Sequence, residues 1–319
     1  MNTLPKISII TPVLNGAKTI EKTIQSVIDQ QYTNLEFIIL DGGSTDNTVE
    51  IIKRYQDHIS YWHSKKDKDS ASAANDGFQR ANGDLVALLM ADDFYEPNTL
   101  NKIGQALVDH PEADMISCGG RVIIYDEQQK VYKTKETYKP QSDLDLNFQN
   151  ICFDVSAICC RFIRTSLLKR IGLLIPSDQQ GQHMYSNDKE FLLRAILAGT
   201  KNIVIDHIGY NYLAHPGSAT YAGRRKMTVR LYAEHMMIAE KFLQQNNLSG
   251  EQRSLLSYWH RHQSARLAMY RWCTGSLTEA WQLTRAGMQR DGGKWLGSFI
   301  AAPFAYWAKK LFPVRCNRF

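Results

Sequence analysis

Two hydrophobic periodicities alternate through the first ninety residues, and that alternation leaves few folds open. Short apolar runs at 7–13, 36–40, 59–62 and 84–90 read as strands, and the segments between them, 17–30, 47–55 and 71–81, carry helical patterns. Ile20, Ile24, Val27 and Ile28 share one helix face, and Asp46 stands where an N-cap belongs. Strands that each wait for a helix before the next one run parallel, which predicts an α/β fold built of βαβ units. In such sheets, ligands bind beyond the carboxyl ends of the strands.

The fourth run, Leu85-Val86-Ala87-Leu88-Leu89-Met90, delivers two adjacent carboxylates, Asp92 and Asp93, to that edge. Two hard oxygen donors there suit Mg²⁺ or Mn²⁺ shared with substrate phosphates. An isolated Asp pair is as well explained by the end of a strand or the cap of the helix after Pro97, so the neighbouring strands decide. The first ends in Thr11-Pro12-Val13-Leu14-Asn15-Gly16 and the second in Asp41-Gly42-Gly43-Ser44-Thr45-Asp46. Glycines let the backbone approach a ligand, and a carboxylate at a strand end accepts hydrogen bonds from a base or ribose. Neither motif is the GxGxxG of dinucleotide enzymes.

Beyond residue 112 the pattern loosens. A strand is expected at 121–125, a loop or lid over the polar stretch 132–147, a helix at 187–198 and a strand at 203–205. From Arg224 the chain reads as helical, with breaks at 246–250, 274–276 and 291–293. The expected organisation is a domain over 1–223 and a helical extension over 224–319. Charge divides at the same place: residues 224–319 hold 16 Lys and Arg against 5 Asp and Glu, a net of +11, while residues 1–223 carry a net of −5. A basic extension suits a polyanionic partner, nucleic acid or an anionic membrane surface.

Segment 294–310 has too few apolar residues for a bilayer span, which needs about 20. Trp295, Phe299, Phe304, Tyr306 and Trp307, followed by Lys309, Lys310, Arg315 and Arg318, match an interfacial anchor. A terminal helix docked on the body or on a second subunit explains them equally. The six cysteines form no CxxC pair, which argues against a zinc ribbon or disulfide framework, and with no secretory signal legible a cytoplasmic chain is expected. His260-Arg261-His262 with Cys273 lacks zinc-ligand spacing and is expected to be a solvated helix face.

The order and spacing of Ser8-Ile9-Ile10-Thr11-Pro12-Val13-Leu14-Asn15-Gly16, Asp41-Gly42-Gly43-Ser44-Thr45-Asp46, Asn75-Asp76-Gly77, Gly83-Asp84 and Ala91-Asp92-Asp93 resemble the family 2 inverting glycosyltransferases of GT-A fold. The resemblance covers residues 5 to about 220. It implies a mostly parallel, Rossmann-like sheet flanked by helices, with a nucleotide-sugar donor bound at its edge. On that resemblance Thr11, Pro12, Leu14 and Asp41 line the uridine pocket, Asp41 faces the base, and Asp67 and Asn75 belong to the donor contacts. Asp92 lies near the ribose or diphosphate. Asp93 is the principal ligand of Mn²⁺ or Mg²⁺ in a DxD-type site whose first position is here Ala91. Ser72 replaces the family's usual carboxylate and Asp69 its usual glycine, which leaves the donor sugar and base open. Tyr210-Asn211-Tyr212-Leu213-Ala214-His215-Pro216-Gly217-Ser218 resembles the loop that closes these domains, where His215 can reach the metal or diphosphate.

An inverting displacement needs a base on the face opposite the leaving group. The family pattern, a carboxylate before an apolar run with an Arg six residues on, matches Asp188 and Arg194, with Glu190 as fallback. A carboxylate in a first helical turn is otherwise worth only about 0.5 kcal/mol against the helix dipole. The expected reaction is transfer of a sugar, from a UDP-linked donor, to a saccharide acceptor carried on a lipid, in surface polysaccharide assembly such as O-antigen or capsule. Homo-oligomers are compatible with the sequence. A nucleotidyltransferase would carry a Gly-rich basic loop early in the chain, which is missing. A nucleic-acid-binding protein would leave the Asp pair without a purpose, so no nucleic-acid partner is expected.

Overall fold

A computed structural model of the chain describes residues 4–176, 184–215, 218 and 224–311, with side chains described outside 224–228 and 303–311. The chain divides into two compact units, residues 1–147 with 155–222, and residues 148–154 with 223–319. The strands are β1 (Ile7–Val13), β2 (Leu35–Asp41), β3 (Tyr61–Ser64), β4 (Leu85–Leu88), β5 (Phe94–Tyr95), β6 (Met115–Asp126), β7 (Val131–Tyr138), β8 (Arg161–Arg164) and β9 (Asn202–Leu213). The helices are α1 (Ile20–Ile28), α2 (Thr48–Arg54), α3 (Ser70–Arg80), α4 (Thr99–Asp109), α5 (Pro140–Asp143), α6 (Phe148–Phe153), α7 (Thr165–Ile171), α8 (Asn187–Leu197), α9 (Arg224–Leu243), α10 (Gly250–Cys273), α11 (Leu277–Asp291) and α12 (Gly293–Leu311).

In the first unit the strands form one sheet in the order β3-β2-β1-β4-β8-β6-β9-β5, with β7 paired to β6. The four strands legible from the sequence, β3, β2, β1 and β4, run parallel. Every residue of β1 and β4 is buried, as expected of strands covered on both faces. Ile20, Ile24 and Val27 of α1 are fully buried in the same core as Ile7, Ile9, Phe37, Leu85 and Phe162. Beyond β4 the sheet is mixed: β8 is antiparallel to both neighbours, and β6 and β9 run parallel to each other. The N-cap of α2 is Asn47 rather than the expected Asp46, and no side chain caps it; Asp46 Oδ1, one residue earlier, accepts the Thr48 N–H at 3.1 Å.

The expected loop over 132–147 is instead mostly β7 followed by α5. Its strand pairs antiparallel to β6, with Tyr125 opposite Tyr132. Its residues are almost all exposed, so no apolar alternation marked it as a strand. The short strand expected at 203–205 extends to the twelve residues of β9, whose far end returns to the functional edge.

The second unit is helical. The predicted break at 246–250 is a capping box: Ser249 Oγ accepts the Gln252 N–H at 3.2 Å and Gln252 Oε1 accepts the Ser249 N–H at 2.9 Å. Gly275 and Gly292 mark the next two breaks with φ of +80° and +53°. Trp295 is fully buried, donates its indole N–H to Ser264 Oγ at 2.8 Å and stacks on Phe299. It is therefore part of this unit's core and not an interfacial anchor. Gly287 makes room for it, because a Cβ there would stand 2.2 Å from the Trp295 indole nitrogen. Phe304, Tyr306, Trp307, Lys309 and Lys310 lie outside the described side chains, and Arg315 and Arg318 outside the described residues. His260 and His262 are buried rather than solvated. His260 Nε2 lies 2.8 Å from Glu240 Oε1 and 3.1 Å from Arg290 Nη1, and burial, reinforced by Arg290, lowers its pKa. Among the described residues no helix is long and apolar enough to cross a membrane.

Candidate functional site

The parallel register sets Val13 beside Asp41 and Asp41 beside Ser64, so the ends of β1, β2 and β3 meet at one edge. Their loops are laced together. Asn15, held at φ +53°, donates its N–H to Ser44 Oγ at 2.7 Å and accepts the Thr45 N–H on Oδ1 at 2.9 Å. Asp46 Oδ2 accepts the Ala17 N–H at 3.1 Å. Asp41 is fully buried and accepts hydrogen bonds from Gly43 N at 3.2 Å, Ser44 N at 3.0 Å, Ser64 Oγ at 2.5 Å and Ser44 Oγ. Such a carboxylate is fixed in orientation before any ligand arrives. Thr11 and Pro12 are buried beneath the edge, whereas Leu14 is exposed on it. The Thr11 hydroxyl is buried and has no hydrogen-bond partner among the described residues.

Asp67 closes this corner: a Cβ on Gly42 would lie 3.2 Å from its Oδ2, a distance that only glycine allows with ease. Burial raises its pKa, with Asp76 and Asp41 pushing the same way against His63 and Lys65. His63, on β3, was not singled out by the sequence. Its Nε2 is buried without a partner among the described residues, and burial followed by Lys65 lowers its pKa. Asn75 stands apart from the donor role expected of it. Its side-chain amide is spent on the backbone of Leu174, donating to the carbonyl at 2.8 Å and accepting the N–H at 3.1 Å, so it fastens that segment to α3.

The two carboxylates after β4 have different surroundings. Asp93, the expected metal ligand, is fully buried; Oδ1 accepts the Leu213 N–H at 2.8 Å and Oδ2 accepts the Tyr210 hydroxyl. Burial, and then the neighbouring Asp92, raises its pKa well above the usual carboxylate range. A group so enclosed favours its neutral form. Asp93 therefore pins the end of β9. Thr23 of α1 fixes the turn from the other side, donating to the carbonyls of Ala91 at 3.0 Å and Asp93 at 2.8 Å. The segment that Asp93 pins carries His215, whose Nε2 lies 3.1 Å from Asp92 Oδ2. Asp92, by contrast, keeps its side chain 26% exposed beside that imidazole. Among the described residues no cluster of three His, Cys, Asp or Glu could hold a metal ion. Two protein donors plus diphosphate oxygens nevertheless fit Mg²⁺ or Mn²⁺, which commonly keep few protein ligands.

Asp188 opens α8, where its Oδ1 accepts the Lys189 N–H at 2.7 Å and its Oδ2 accepts the Ser156 hydroxyl. The fallback, Glu190, is fully buried and ion-paired to Arg194 at 2.9 Å. Arg194 in turn donates to the carbonyls of Leu173 at 2.6 Å and Gly172 at 3.1 Å, so this pair is a structural clasp. The thiol of Cys159 is pushed up to about 12, by burial and then by Asp93, with Asp188 and Asp92 adding to the effect. Ser156 and Thr23 were invisible in the sequence, because each meets its partner only through tertiary contact.

Comparison with known proteins accords with this arrangement. An uncharacterised glycosyltransferase of Rickettsia typhi is 31% identical over 170 residues, 53% of each chain. The putative glycosyltransferase EpsE of Bacillus subtilis is 33% identical over 131 residues, 40% of this chain and 46% of that protein. The chain thus spans about half the length of the curated relatives it matches. Among solved structures, residues 1–349 of Staphylococcus aureus TarS superpose with a TM-score of 0.58 at 18% identity, covering 93% of this chain and 81% of that one. The mannosyltransferase PcManGT of Pyrobaculum calidifontis gives 0.57 at 17% identity, covering 98% and 88%. At these identities the structural likeness speaks for the fold, a GT-A glycosyltransferase fold with a helical C-terminal region. Residues 8–172 match the profile described as glycosyl transferase family 2, and with more than half the chain inside that match, the protein belongs to this family.

Proposed function

We propose that the first unit moves a sugar from a nucleotide-diphosphate donor, UDP-linked in our reading, to a saccharide acceptor with inversion at the anomeric carbon. The observation that carries it is the edge where β1, β2 and β3 end, which presents the buried, four-times hydrogen-bonded Asp41, together with Asp92 beside His215 after β4. In this reading Thr11, Pro12, Leu14, Asp41 and Asp67 enclose the nucleoside, with Asp41 held by its four donors toward the base. Asp92 and His215 would hold Mn²⁺ or Mg²⁺. When bound, the cation supplies Lewis-acid stabilisation of the charge that develops on the departing diphosphate. Asp188 accepts the proton of the acceptor hydroxyl as that oxygen bonds to the anomeric carbon. The bond to the diphosphate breaks, and its electron pair leaves with the nucleotide.

The relatives support a setting. TuaG of Bacillus subtilis is described as a putative teichuronic acid biosynthesis glycosyltransferase, the TarS structure contains UDP-GlcNAc and the PcManGT structure contains GDP-Man and Mn²⁺. These support polysaccharide assembly, a nucleotide-sugar donor and a divalent cation. A lipid-carried acceptor suits the basic helical unit, and we place the enzyme in the cytoplasm, peripheral on an anionic membrane. The membrane-facing side chains are then Leu277, Trp281 and Met288, exposed on one face of α11 beside Arg285, because Trp295 is buried. The charge of the extension favours an anionic lipid surface over a second copy of the same basic unit. The test is product stereochemistry: incubation with candidate UDP-sugars, Mn²⁺ and membrane extracts should yield a glycoside of inverted anomeric configuration by NMR. A product of retained configuration would remove the base from the scheme.

A further inference from the structure

Arg161 is fully buried on β8, and among the described residues no carboxylate forms a hydrogen bond with it. Its Nε donates to the Ser156 carbonyl at 3.1 Å, and its Nη1 donates to Ser117 Oγ at 3.1 Å and to the Leu144 carbonyl at 2.9 Å. Burial lowers its pKa to about 10, with Cys160, Asp145 and Asp188 opposing, so the guanidinium keeps its charge at neutral pH. A buried cation is costly to keep; its Nη2 finds no partner among the described residues, and it is the Nε bond that ties it to the turn at residues 156–157. Ala157 sits in that turn at φ +43°, a left-handed conformation that a non-glycine residue adopts only where its surroundings enforce it. What the enforced turn presents is the Ser156 hydroxyl, itself buried and donating to Asp188 Oδ2.

We propose that Ser156 is a positioning residue for the general base, with Arg161 as its anchor; this rests on the reading of Asp188 as that base. The Lys189 N–H and the Ser156 hydroxyl each engage one oxygen of the carboxylate, which fixes its plane and leaves the outward lone pairs for the acceptor proton.

The test uses the full chain and two readouts. One is UDP release from a UDP-linked sugar with water as acceptor, split into kcat and donor KM. The other is the melting temperature, which a merely structural role would move. Ser156→Ala should lower kcat about tenfold, with donor KM within twofold and the melting temperature little changed, and Ser156→Thr should restore kcat. Should the alanine variant fail to fold, Ser156→Cys, with its weaker donor, should give an intermediate kcat. An unchanged kcat, or a rate loss that only tracks a loss of folded protein, overturns the positioning role. Near-normal UDP release in Asp188→Asn removes the base reading itself, whereas an inactive Asp188→Asn beside an unperturbed Ser156→Ala removes only the role of Ser156.

Discussion

Adjacent carboxylates can be told apart only by what surrounds them. Asp92 and Asp93 are equivalent in sequence, yet one faces His215 and the other is enclosed by Tyr210 and Leu213, more than a hundred residues away. Asp93→Ala should leave the Leu213 N–H and the Tyr210 hydroxyl unpaired and cost about 1–3 kcal/mol in urea unfolding. Asp93→Asn should largely spare stability. The pH dependence carries a sign: a carboxyl whose folded pKa is raised contributes stability that is present below its unfolded pKa and lost as pH rises toward the folded one. Stability of the natural chain should therefore fall as pH rises above the ordinary carboxylate range, and Asp93→Asn should flatten that fall. A steeper fall in the variant would contradict the burial of a neutral Asp93. Glu190→Gln, by breaking a buried pair, should cost about 3–5 kcal/mol in stability. Turnover per folded molecule should stay near normal, whereas Asp188→Asn should lose about 10²-fold or more. Stability and initial rates measured on both variants separate the clasp from the base.

The elements that sequence revealed are those whose burial is one-sided or complete. β1, β2 and β4 are continuous apolar runs, and α1 shows its buried stripe at Ile20, Ile24 and Val27. Asp41 and Asp92 were legible for the same reason, since each follows directly on such a run. β7 was not, because an exposed hairpin strand has no buried face to give it a period. β8 and β5 are too short to carry one. The helix breaks after α9, α10 and α11 were marked by a capping box and glycines. The fate of Trp295 was not, because an aromatic facing lipid and one facing Ser264 look alike in sequence. Trp295→Ala should destabilise the helical unit by about 3–5 kcal/mol, read by urea denaturation. A loss under 1 kcal/mol would return Trp295 to the surface.

At the scale of the molecule, an acidic catalytic unit is joined to a basic helical one, and each half supports a separate test. Vesicles containing anionic lipid should bind the full chain, more weakly as salt screens the basic side chains. Trp281→Glu should reduce binding without lowering thermal stability, since Trp281 is 61% exposed. A dimer by light scattering with no vesicle binding would assign the α11 face to a second copy instead. The catalytic unit is tested most directly by thermal shift across nucleoside-diphosphate sugars, with and without Mn²⁺. A ligand present at 100 times its Kd stabilises by about 2.7 kcal/mol, ample for detection. We expect a UDP-sugar to raise the melting temperature only when Mn²⁺ is present, the shift to vanish in Asp92→Ala, and a shift to persist in Asp93→Asn. A shift of equal size without Mn²⁺, or one that survives Asp92→Ala and disappears in Asp93→Asn, would contradict the placement of the cation at Asp92 and His215.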